Sequence, residues 1–109
     1  MMAERELEFV ELSTGRASTV RLVVGKPERD GDDWIAPVAI DGPFGEHWEN
    51  GGHGVDSLQA LHLGLHLLSV MAANCFRGRG TLSTRSGPWD GGLVTMLIPP
   101  TPDAGSPVP

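Results

Sequence analysis

Cysteine is nearly absent: Cys75 stands alone in 109 residues. No internal disulfide can form, and small secreted domains usually staple themselves with paired cysteines, so a cytoplasmic, reducing location is expected. The opening residues, MMAERELEF, show no basic-then-apolar leader and no small-residue cleavage site, so no signal peptide is expected. No apolar run approaches the ~18 residues of a membrane span, and no membrane partner is expected. Basic residues are scarce as well, with eight Lys and Arg against fourteen Asp and Glu and a formal net charge of −6. The imbalance is local: residues 1–56 carry twelve acids and five bases, residues 57–109 two acids and three bases. Phosphates are met by Lys and Arg, and the single cluster Arg77, Arg79 and Arg85 is too sparse for that, so nucleic acid is not an expected partner.

Signatures of common enzymes are missing too. There is no G-x-S-x-G elbow and no G-x-x-x-x-G-K phosphate loop. Gly78-Arg79-Gly80 follows a helical pattern rather than a strand, so it is no dinucleotide fingerprint. Cys75 falls at the C-terminal end of that helix, where the dipole disfavours a thiolate, and it reads as a small core residue.

What the sequence does have is alternation. Residues 6–12 and 18–24 read as two strands of a hairpin, with Leu7, Phe9, Val20, Leu22 and Val24 facing one way. Residues 34–40 continue the pattern through Trp34, Ala36, Val38 and Ile40, with Pro37 predicting an edge position or a bulge. The run ENGGHG reads as flexible punctuation. One helix follows over residues 57–75, with Asp56 as N-cap and Gln59 completing a capping box. Residues 81–84 and 93–98 read as two more strands, and residues 99–109, rich in Pro, Gly and Ser, as a disordered tail after a single domain over 1–98. The fold class expected is α+β, an antiparallel sheet of about five strands with one long helix packed across one face. Leu58, Leu61, Leu65 and Leu68 are expected to meet Val20, Leu22, Val38 and Ile40.

Three motifs could carry chemistry. Gly54-Val55-Asp56-Ser57-Leu58 resembles the attachment motif of acyl and peptidyl carrier proteins, in which Ser57 would bear phosphopantetheine at a helix N-terminus. Carrier proteins are all-helical, whereas strand patterns precede this motif, and Asp56-Ser57 also suits a plain helix cap. His62 and His66 share a helix face and could grip a metal, with His47 and His53 just upstream, but Leu63 replaces the glutamate of H-E-x-x-H. Glu28, Asp30, Asp32 and Asp33 lack the spacing of a calcium loop and read as a solvated turn. No cofactor is expected.

The run GKPERDGDDWIAPVAIDG followed by GVDSLQALHLGLHLL resembles a family of short bacterial proteins known as a domain of unknown function, the 6968-like group. The resemblance spans roughly residues 6–72, and its landmarks are Gly25-Lys26-Pro27, Asp33-Trp34, Pro37 and residues 54–61; His62 and His66 are not among them. It implies no activity. The function expected is therefore a non-enzymatic protein-interaction module, with toxin-neutralising immunity proteins as one subclass; a carrier or ligand-binding domain using Ser57 and a metal enzyme using His62 and His66 are the alternatives. At ~100° per residue the helix is apolar around roughly two-thirds of its circumference. One sheet covers less than that, so the arc of Leu63, Leu67, Val70 and Met71 is expected to be covered either by Trp89 and residues 93–98 of the same chain or by a partner, most simply a second copy in a homodimer.

Overall fold

Alternating apolar residues build the centre of the sheet. The computed structural model describes residues 2–84 and 87–89. It has strands β1 (Ala3–Glu11), β2 (Ala17–Val24), β3 (Glu28–Asp30), β4 (Asp33–Asp41) and β5 (His47–Gly54), helix α1 (Ser57–Phe76), then β6 (Gly80–Thr84) and β7 (Gly87–Pro88). The fold is α+β: one open antiparallel sheet with the helix across one face. Leu7 lies opposite Val20, Leu22 opposite Ile40, and Val24 opposite Val38, so one face of three adjacent strands is a continuous apolar row. Each of these side chains is buried, which stabilises the fold by about 1.5–3 kcal/mol apiece.

The sheet has seven strands rather than about five. Part of the difference is the acidic segment, whose Glu28–Asp30 pairs with the start of β4. β2 and β3 lie end to end along the same edge of β4, interrupted at residues 25–27. Pro37 faces that interruption. Its carbonyl accepts from Gly25 N–H at 2.7 Å, and a Cβ on Gly25 would stand 2.6 Å from Pro37 Cγ. The missing N–H of Pro37 therefore points into the break, where no ladder bond is lost. The strand is interior and its register with β5 runs one to one through Pro37, so Pro37 takes neither expected position: it stands in an unbulged strand, opposite the gap between two partner strands.

Two further strands were not expected: the short β7 and β5, the latter correcting the reading of ENGGHG as flexible punctuation. β5 pairs with β4 along its full length, from Asp41 opposite His47 to Trp34 opposite Gly54. Its glycines are a seat for the helix. A Cβ on Gly52 would lie 2.1 Å from Gly64 N, and one on Gly54 2.5 Å from Ala60 N. The helix backbone rests against the strand with no side chain between them. Ala60, Gly64, Leu68, Ala72 and Phe76 form its buried stripe. Arg79, just beyond α1, fixes the other end: it grips Glu46, ahead of β5, through two bonds of 3.0 and 2.7 Å, and also reaches Cys75 O.

That seat sets the rotation of the helix. Leu68 is fully buried, and Leu61 and Leu65 are half-buried against the same core. Leu58 does not join them and is 75% exposed. It lies about 200° around the helix from Ala60, which the glycine contact turns toward the sheet. By length and composition alone α1 is long and apolar enough to cross a membrane, a test that the core helix of a sheet-packed domain also passes. It also carries His62, His66 and Asn74, and its glycine-alanine stripe is seated on the sheet. Arg85, residues 93–98 and the tail 99–109 lie outside the described residues.

Candidate functional site

The most distinctive surface lies along β5 and the flank of α1 beside it. The carbonyl of Pro37 is directed to Gly25, away from β5. In an antiparallel ladder a residue's N–H and C=O point to the same side, so the opposed pair Pro37 and Gly51 exchanges no bonds. Gly51 therefore turns its N–H and C=O outward, and alternation gives the same direction to His47, Glu49 and His53. Among the described residues no strand lies beyond β5. Asn50 Oδ1 accepts the outward Gly51 N–H at 2.8 Å. The edge carries no Pro, no Lys and no bulge, the usual devices that block pairing with another chain.

Above this edge stand Leu63 and Val70, which are 39% and 41% exposed. Leu65 and Leu68 face the opposite flank, toward Leu22 and Val24. Leu67 and Met71, the other two residues of the expected arc, are half-buried against the core. The arc is thus divided: Leu67 and Met71 close the core, while Leu63 and Val70 remain outside it.

The sheet face away from α1 is strongly acidic. Glu4, Glu6 and Glu8 of β1, Asp41 of β4 and Glu49 of β5 project there, with Arg21 among them. Arg21 pairs with Glu4. His47 touches Asp41 through Nδ1 and Glu49 through Nε2, the latter at 2.7 Å. The hydrogen bonds to Glu49 and then Asp41 hold its pKa above the ordinary imidazole value.

Ser57 is exposed in the first turn of α1. The cap is Asp56, whose Oδ1 accepts from Gln59 N–H at 2.7 Å; Gln59 Oε1 reaches back to Val55 N–H at 2.7 Å. His66 is exposed and His62 half-buried on α1, whereas His47 and His53 project from the opposite face of the sheet. Among the described residues no group of three or more His, Cys, Asp and Glu side chains is placed to hold a metal ion. Cys75 is half-buried, and burial pushes its thiol pKa up. The open edge of β5 was not found from the sequence; the bulky-then-glycine run HWENGGHG was its one available signal.

The fold and this surface define a small α+β domain in which, among the described residues, no strand lies beyond β5 and no element covers the sheet face away from α1. Residues 3–92 match the family described as Domain of unknown function (DUF6968), and the chain belongs to that family. No curated protein and no solved structure matches the chain.

Proposed function

We propose that this domain is a non-enzymatic protein-interaction module, which binds a protein along β5 and the adjoining flank of α1. One observation carries the reading: outward-facing backbone groups at Glu49, Gly51 and His53 lie beside the exposed side chains of Leu63 and Val70. A strand edge supplies main-chain donors and acceptors in a fixed row, and an apolar strip beside it supplies desolvation; together these are the elements of strand addition. The test compares the chain with a Leu63→Glu, Val70→Glu variant. Proteins retained by the immobilised wild type, the chain itself included, are identified, purified and bound again in solution. The variant should bind them at least tenfold more weakly, with its melting temperature little changed because both side chains lie outside the core. Equal binding by the two would contradict the reading.

A further inference from the structure

We infer that the occupant of this surface is a second copy of the chain, joined by two-fold antiparallel pairing of β5 with itself and centred on Gly51. The inference rests on the interaction reading above and names its partner. β5 is self-complementary. Its first half is bulky (His47, Trp48, Glu49, Asn50), and its second half is Gly51, Gly52, His53 and Gly54. Antiparallel pairing about Gly51 lays each bulky half on the other copy's glycine half. Trp48 then faces Gly54 of the second copy, Asn50 faces its Gly52, and no side chain stands on the axis. Glu49 faces His53 of the second copy, once on each side of the axis. The Glu49 carboxylate already accepts from His47, and it keeps lone pairs for a second imidazole N–H. The register centred on Asn50 instead sets Glu49 against Gly51 and His47 against His53 and leaves the Glu49 carboxylate no imidazole N–H across the seam, so hydrogen-bond complementarity selects Gly51. Each outward N–H and C=O from Glu49 to His53 gains a partner, and a carbonyl of the second copy replaces Asn50 Oδ1 at Gly51.

The helix obeys the same axis. Gly54 lies against Ala60 and Gly52 against Gly64, so Gly51 lies beside the α1 turn around residues 66–67. Leu63 and Val70, both exposed, are spaced equally about that point. A two-fold axis there sets Leu63 against Val70 of the second copy and brings Leu67 close to its own counterpart. Since α1 rests on β4 and β5 with strands about 4.8 Å apart, the two α1 axes would run roughly 10 Å apart, close to the 8–10 Å of packed helices.

Gel filtration with light scattering on the full chain, together with a dilution series for the dissociation constant, tests this. The wild type should be a dimer. Glu49→Lys should weaken it at least tenfold, and Glu49→Lys with His53→Glu should recover most of the loss, because the swapped charges meet again only in this register. Circular dichroism checks that each variant is folded. Should Glu49→Lys fail to fold, His53→Glu alone opposes Glu49 and must weaken the dimer. A monomer at every concentration overturns the inference; the interaction reading then stands if Leu63→Glu, Val70→Glu still abolishes binding of another protein. A dimer unmoved by the charge variants and by the helix variant overturns both.

Discussion

β2 and β5 flank the same strand, β4, and are held there by opposite chemistry. β2 contributes Val20, Leu22 and Val24, which fill the core, and its outward residues alternate with them. β5 contributes Gly52 and Gly54, and α1 descends onto the bare backbone. On the β2 side the sheet is kept together by side-chain volume; on the β5 side it is kept together by the absence of volume. The first kind of contact tolerates trimming and the second tolerates no addition.

That contrast is broken most severely at Gly52. A Gly52→Val variant places its first carbon inside the backbone of Gly64, so the helix must leave its seat. We expect no cooperative thermal transition from it, whereas Leu22→Ala, on the other side, should unfold cooperatively at a cost of about 2–5 kcal/mol. A Gly52→Val protein with a wild-type melting curve would show that α1 is not seated on β5. The helix start gives a smaller effect. Asp56→Ala should cost about 1 kcal/mol in urea unfolding because it removes the bond to Gln59 N–H, and Ser57→Ala should stay within about 0.5 kcal/mol. The reverse order would make Ser57 the cap.

The smallest effect sharpens the comparison at the outer face. His47 on β5 bridges Glu49 and Asp41, and its folded pKa is raised above the unfolded value near ~6.5. Its contribution to stability is therefore complete below about pH 6.5 and is lost as pH climbs through the folded value. His47→Gln should lower the urea midpoint at about pH 5.5 and leave it unchanged at about pH 9. A pH-independent difference would remove the imidazolium from the account.

The same contrast explains what the sequence could tell. Val20, Leu22, Val38 and Ile40 announce themselves through period-two alternation, and all four are buried in the sheet. Asp56 and Gln59 announce the helix start. β5 was illegible because alternation is a pattern of side chains, and its inward positions at 52 and 54 have none. The rotation of α1 was misjudged for the same reason: a face chosen by its leucines puts Leu58 inward, while the contact that sets the rotation is glycine on glycine. The acidic segment read as a turn because a three-residue strand such as Glu28–Asp30, all of it exposed, buries nothing that composition could reveal. The open edge depends on where the Pro37 carbonyl points, and no residue type encodes that by itself.

Amide hydrogen exchange along β5, followed by NMR at two protein concentrations, tests the central claim most directly. The amides of Trp48, Asn50 and Gly52 face β4 and should be protected at both concentrations. Those of Glu49, Gly51 and His53 face outward, and they should exchange fast when dilute and gain protection together when concentrated. Such period-two protection, appearing with concentration, would place the second copy on this edge. Fast exchange of Glu49, Gly51 and His53 at a concentration where the chain is fully dimeric would contradict it.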